Sequence, residues 1–181
     1  MNGRFDPVLG ELYGFDEATL AANRAGQITP RQQHGFAVGA TAYRSNAKVV
    51  IVMVGVAIVV SFGITLAQSS VDAGQILLVG GALLVAGGAI GLIIRRNYTQ
   101  ADRFEQPVAV QVAEGPLEVD EHPYSWSDGD HTTGWKVTVG EKSWRLLEEY
   151  AEPFERGAVY RFYYVDFGGP ALTILSIERA V

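Results

Sequence analysis

The chain has 181 residues, 48% of them hydrophobic, and a formal net charge of −6, enough for one ordinary domain or for a membrane unit with a small soluble one. It contains no cysteine, which excludes disulfides, thiolate metal sites and cysteine nucleophiles. Its apolar residues crowd between positions 49 and 94 instead of spreading through the chain as a globular core requires, which is the distribution of a membrane protein.

The first apolar run begins about fifty residues in, behind a segment with helix signals of its own, so it is not expected to be a cleavable signal peptide. In that leading segment, residues 1–48, Asp16 is placed to cap a helix EATLAANRA that carries Glu17 in its first turn and ends at Gly26. Thr29-Pro30 then reads as an N-cap followed by proline at the first helical position, opening a helix through RQQHGFAVGATAYRS into the first apolar run. These helices suit a membrane surface: Leu20, Phe36, Val38 and Tyr43 would enter the headgroup region while Arg24, Arg31 and Arg44 meet lipid phosphates. Docking of a partner is the alternative use. With five basic and four acidic residues the segment has no polybasic lipid-binding cluster, and His34 is expected to be solvated or interfacial.

Residues 49–68 (VVIVMVGVAIVVSFGITLAQ) and 76–94 (ILLVGGALLVAGGAIGLII) carry no charge. At roughly 1.5 Å per residue each helix would span about 30 Å, the hydrocarbon core of a bilayer. The linker SSVDAGQ holds only Asp72, whereas Arg44 and Lys48 precede the first run and Arg95, Arg96 and Arg103 follow the second. The positive-inside rule therefore predicts a two-helix hairpin over residues 49–96 with both termini cytoplasmic. On that topology the Asn97-Tyr98-Thr99 sequon faces the wrong compartment for glycosylation and is a chance match. Ala57, Ser61 and Thr65 recur every four residues, and Gly80, Gly87 and Gly91 share a face flanked by Gly81 and Gly88. Small residues let helix backbones approach in lipid, so these are the predicted helix-packing positions, either within the hairpin or towards other subunits or copies. Neither run contains an ionisable residue of the kind that ion and proton pathways use.

From residue 97 to 181 the pattern changes to short runs rich in Val, Tyr, Thr and Ile, separated by turn residues. Strands are predicted at 108–113, 117–120, 135–139, 143–147, 159–165 and 171–178, a small closed or half-open all-β barrel of SH3-like or OB-like type. In the fifth run Tyr160, Phe162 and Tyr164 alternate with Val159, Arg161, Tyr163 and Val165, so one face is predicted core. Fifteen acidic against seven basic residues argue against binding nucleic acid through the exposed face. Asp120, Glu121, His122, Asp128, Asp130 and His131 crowd in one long predicted hairpin loop. Their chemistry suits a divalent ion, but the spacing matches neither HExxH nor a complete EF-hand loop, and a solvated turn at Asp128-Gly129 explains the same residues. Glu148, Glu149, Glu152 and Glu155 form a second acidic stretch, expected to be a solvated face, in a segment where Pro153 and Gly157 interrupt any helix.

The tail GAVYRFYYVDFGGPALTILSIE resembles that of uncharacterised bacterial two-span membrane proteins in which a G-x-x-YR-x-YY strand precedes an LSIE strand, and NRAGQITPRQ is similar to their NR-x-G-x-(I/L)-T segment. The resemblance implies two spans and a C-terminal β-domain, and no activity. No nucleophile elbow, phosphate-cradling loop or dinucleotide fingerprint occurs. The expected function is that of a non-catalytic accessory or scaffold subunit, without cofactor, whose partners are the lipid bilayer and other membrane subunits or copies of itself. The alternatives are a homo-oligomeric pore component and a metal- or ligand-sensing regulatory protein.

Overall fold

The structure, a computed structural model, describes residues 3–67, 73–123, 133–168 and 172–180. The chain divides into two compact units, Met1–His34 with Pro107–Val181, and Gly35–Gln106.

The first unit begins with α1 (Pro7–Tyr13) and α2 (Glu17–Arg24). Asp16 caps α2 as expected, accepting from the Thr19 N–H at 2.7 Å. Helix α1 was not foreseen, although its signals are of the same kind: Asp6 accepts from the Val8 N–H at 2.9 Å, Pro7 follows, and Gly14 closes the helix. At Thr29 the chain forms a capping box. The Gln32 N–H reaches Thr29 Oγ1 at 3.3 Å, and Gln32 Oε1 accepts from the Thr29 N–H at 3.0 Å. Helix α3 (Pro30–Ala67) starts there and continues without a break into the second unit, as the sequence predicted.

Five strands complete the first unit: β1 (Gln111–Pro123), β2 (Thr133–Val139), β3 (Lys142–Leu147), β4 (Val159–Val165) and β5 (Thr173–Arg179), with β3 and β4 separated by a helical turn, α5 (Glu148–Ala151). They form one antiparallel sheet in the order β3-β2-β1-β4-β5, curled into a half-barrel. Five strands is the lower of the expected five or six, because the runs at 108–113 and 117–120 belong to a single strand. Its first half, Gln111 to Pro116, pairs with β4, and its second half, Leu117 to Pro123, pairs with β2. The change of partner between Pro116 and Leu117, next to Gly115, lets one strand serve both sides of the curl.

Glycine is required at this change. A Cβ on Gly115 would lie 2.9 Å from the backbone nitrogen of Gly140, which itself adopts a φ of 59° in the β2–β3 turn. Because the obstruction is backbone, Gly115→Ala is expected to destabilise the unit by about 1–3 kcal/mol, measured as a shift in the unfolding midpoint followed by tryptophan fluorescence. An unchanged midpoint would show that the β2–β3 turn yields freely.

The concave side is filled by Leu117, Val137, Val139, Trp144, Phe162 and Ile177. Trp144 and Phe162 lie 4.8 Å apart between ring centroids, and Phe154 closes on Tyr160 edge-on at 5.3 Å. The expectation of one core face on β4 is too narrow: Tyr163 and Val165 on the opposite face are also buried. The N-terminal segment supplies the second cover, since α1 and α2 pack on β5. Leu20 is therefore fully buried within this unit and does not enter a headgroup layer.

In the second unit α3 is long and apolar enough to cross a membrane by length and composition, and 6% of its apolar window is buried. Its companion is α4 (Ala73–Glu105), which contains the second apolar run. Close to their charged ends the two helices meet along a seam. Arg44, Ala47, Val50 and Val54 are among the less exposed positions on α3, with Ala40 a turn earlier, and Ile90, Ile94, Asn97, Ala101 and Phe104 on α4, with Gln100 and Arg103 near its end. Tyr43 stacks on Phe104 at 5.7 Å, and Arg44 bonds Glu105 at 2.5 and 2.7 Å and Asp102 at 3.1 Å.

Candidate functional site

The densest set of interacting polar groups among the described residues of the first unit lies on the convex side of β4 and β5, under the N-terminal segment. Glu178 is the centre of it. Alternation along β5 turns its side chain away from the barrel interior, and the register that pairs it with Arg161 puts a cation beside it. The carboxylate is fully buried and accepts from Arg161 Nη1 at 2.8 Å, from the Tyr163 hydroxyl at 2.8 Å, and from Arg24 through Nε at 2.9 Å and through Nη2. Arg24 also donates to the Gly3 carbonyl at 2.6 Å, and Arg161 to Glu114 at 2.8 Å.

Burial alone would raise the Glu178 carboxyl, but the hydrogen bonds from Arg24, Tyr163 and Arg161 outweigh it and hold the group below the ordinary carboxylate range. The same burial, with the bond to Glu178, raises the Tyr163 phenol. An anionic carboxylate whose two oxygens are both engaged by cations is a poor proton acceptor, so this cluster acts as a clamp and not as a general base.

A neutral network lies beside it. Buried Asn23 accepts from the Ser176 hydroxyl at 2.7 Å and donates to the Gln27 carbonyl at 2.8 Å, and Gln32 donates to Asn23 and to the Leu175 carbonyl, both at 3.1 Å. Both networks join residues about 150 positions apart in the chain, which is why pattern reading missed them; only Gln32 carries a local signal, as the last member of the T-x-x-Q capping box. Arg24, expected to meet lipid phosphate, is instead committed to Glu178. Arg44, read in the same way, is committed to Asp102 and Glu105. Arg31, His34, Val38 and Tyr43 are exposed and Phe36 is half-buried.

The residues considered for a metal do not come together among the described residues. Asp120 is exposed and opposite Lys136 in the register, while Glu121 and His122 pair through their backbones with Trp135 and Gly134. Asp128, Asp130 and His131 lie outside the described residues, as do the side chains of Glu121 and His122. Glu148, Glu149, Glu152 and Glu155 are all exposed, and Glu155 pairs with Arg179 at 2.6 Å. A shallow cleft is lined by Arg4, Phe5, Asp6, Pro7 and Arg179; its two cations are offset by Asp6 and Glu155. The indole N–H groups of Trp135 and Trp144 are buried without an acceptor among the described residues.

In the second unit the predicted packing positions continue the α3–α4 seam in phase. Ala57 and Ser61 follow Val54 on α3, and Gly87 and Gly80 precede Ile90 on α4. They are nonetheless exposed, as is Gly91, and a Cβ built on Gly80, Gly87 or Gly91 would meet nothing within 4 Å. The Thr65 side chain lies outside the described residues, as does most of the linker with Asp72. Comparison with family models, curated proteins and solved structures finds no match to this chain.

Proposed function

We propose that this protein is a membrane-anchored, non-catalytic accessory or scaffold subunit, held by two spans in a hairpin with both termini in the cytoplasm and presenting the β half-barrel there. The observation that carries the reading is the apolar surface of α3: Val52, Met53, Val56, Val59 and Ile64 are each more than half exposed, and Leu84, Val85 and Leu92 on α4 are exposed to the same degree. Exposed apolar surface on this scale is unfavourable in water and ordinary in lipid. The uncharged runs and the cations flanking them support the hairpin and its orientation. A scaffold role is favoured by the way the charges of the first unit are used, since buried Glu178, held by Arg24 and Arg161, joins the N-terminal segment to the sheet.

Mass analysis of the intact protein, gently extracted from its own membrane, tests this. A defined set of other chains co-purifying with it is the expected result, and a bare monomer would overturn the accessory role. A homo-oligomeric pore component is the second reading, favoured by the exposed small residues in phase with the seam, and a closed ring of identical chains would select it.

A further inference from the structure

We infer that one flank of the hairpin, formed by Lys48, Arg95 and Tyr98, binds the phosphate of an anionic phospholipid headgroup; this rests on the membrane reading above. The placement follows from the seam. Lys48 comes one residue after seam position Ala47, Arg95 one after Ile94, and Tyr98 one after Asn97. A twofold rotation perpendicular to the plane of two antiparallel helices interchanges them and keeps each flank on its own side. Positions that follow seam residues on α3 and α4 therefore share a flank.

Their heights agree as well. Arg44 meets Asp102 and Glu105, and from that level Lys48 is four residues, roughly 6 Å, nearer the apolar end. Tyr98 is four residues from Asp102, again roughly 6 Å, and Arg95 lies about one further turn, roughly 5 Å, beyond it.

The charges on this flank are available. Lys48 and Arg95 are exposed and make no ion pair among the described residues, whereas Arg44, one turn below Lys48, is neutralised by two carboxylates. Tyr98, level with Lys48, is 37% exposed, with a hydroxyl able to donate. Two cations and a phenol within about a turn of helix match a phosphodiester.

A second feature selects a lipid over a soluble anion. The same flank continues into the apolar part of the helices through Ile51, Gly55 and Gly91, each again one residue after a seam position. A Cβ on either glycine would meet nothing within 4 Å. An acyl chain can lie against these positions, which are open directly beyond the cations. Arg96, one residue before the seam position Asn97, points to the other flank and does not belong to the site.

Arg96 supplies the control. The full chain would be reconstituted in phosphatidylcholine bilayers, and the immobilised fraction of spin-labelled phosphatidylglycerol compared with that of spin-labelled phosphatidylcholine. Preference for phosphatidylglycerol is expected, reduced about fivefold by Lys48→Gln or Arg95→Gln, abolished by the pair, and changed less than about twofold by Arg96→Gln. Inorganic phosphate at millimolar concentration should not displace the lipid. An inserted wild-type protein without preference would overturn the site, as would an equal loss in Arg96→Gln, which would mean diffuse surface charge only. Displacement by inorganic phosphate would overturn the lipid assignment in favour of a soluble anion. Each sample is also washed with alkaline carbonate, and protein lost from the bilayer in that wash would overturn the membrane reading itself, separately from the site.

Discussion

Replacing Glu178 with alanine is expected to destabilise the unit formed by Met1–His34 and Pro107–Val181 by about 3 kcal/mol. Removing one partner of a buried ionic cluster leaves the others desolvated without compensation. Here Arg161, whose side chain is 20% exposed, and the Tyr163 hydroxyl would lose their common acceptor. The figure is placed at the low end of the range for buried pairs because the Arg24 side chain is 36% exposed and can rehydrate. Glu178→Gln keeps the shape and one acceptor oxygen, and should lose roughly half as much. All three tryptophans, Trp126, Trp135 and Trp144, fall within this unit, so their fluorescence during urea unfolding of the full chain in lipid discs reports on it. A loss below about 1 kcal/mol for Glu178→Ala would show that the cluster is not a clamp.

The same cluster gives a pH dependence of defined sign. Because the folded-state value of Glu178 is lowered, its contribution is fully present above the ordinary carboxylate range and is lost as pH falls through that depressed value. Wild-type stability should therefore decline on acidification below the ordinary range more steeply than that of Glu178→Gln, with parallel curves near neutrality. Parallel curves throughout would remove Glu178 as the source.

The second large effect concerns α3 and α4, the proposed hairpin. Replacing residues 35–106 by a Gly/Ser linker is expected to move the protein from the membrane into the soluble fraction while the half-barrel stays folded. All the exposed apolar side chains invoked for membrane anchoring lie in the excised segment, whereas the contacts that join the N-terminal segment to the sheet, through Asn23, Arg24 and Gln32, all precede it. A linker of about twenty residues has a root-mean-square span of roughly 25 Å and a small added closure entropy. Dispersed amide resonances and protection of β4 and β5 from hydrogen exchange would confirm the fold. An excised protein that is soluble but unprotected in β4 would show that the unit depends on the hairpin, and one still sedimenting with membranes would remove the hairpin as the anchor.

What the sequence determined by itself is local or periodic. Charge-free apolar runs, the Asp16 and Thr29 caps, and the alternation of residues 159–165 each follow from spacing and turn chemistry within a few residues. The continuity of α3 through Thr29-Pro30 into the apolar run was likewise legible, because no breaker lies between them. Tertiary structure decided which groups are free. Arg24 and Arg44 look like lipid-facing cations until the fold brings Glu178 to the first and Asp102 with Glu105 to the second. The 108–113 and 117–120 runs look like separate strands until β4 and β2 are seen to share one continuous strand that changes partner after Pro116. The N-terminal segment carries no polybasic cluster, and of its arginines Arg44 meets its carboxylates some sixty residues further along the chain. In each case the deciding interaction is long-range: a charge is paired, buried or available according to what folds against it, and local sequence does not contain that partner.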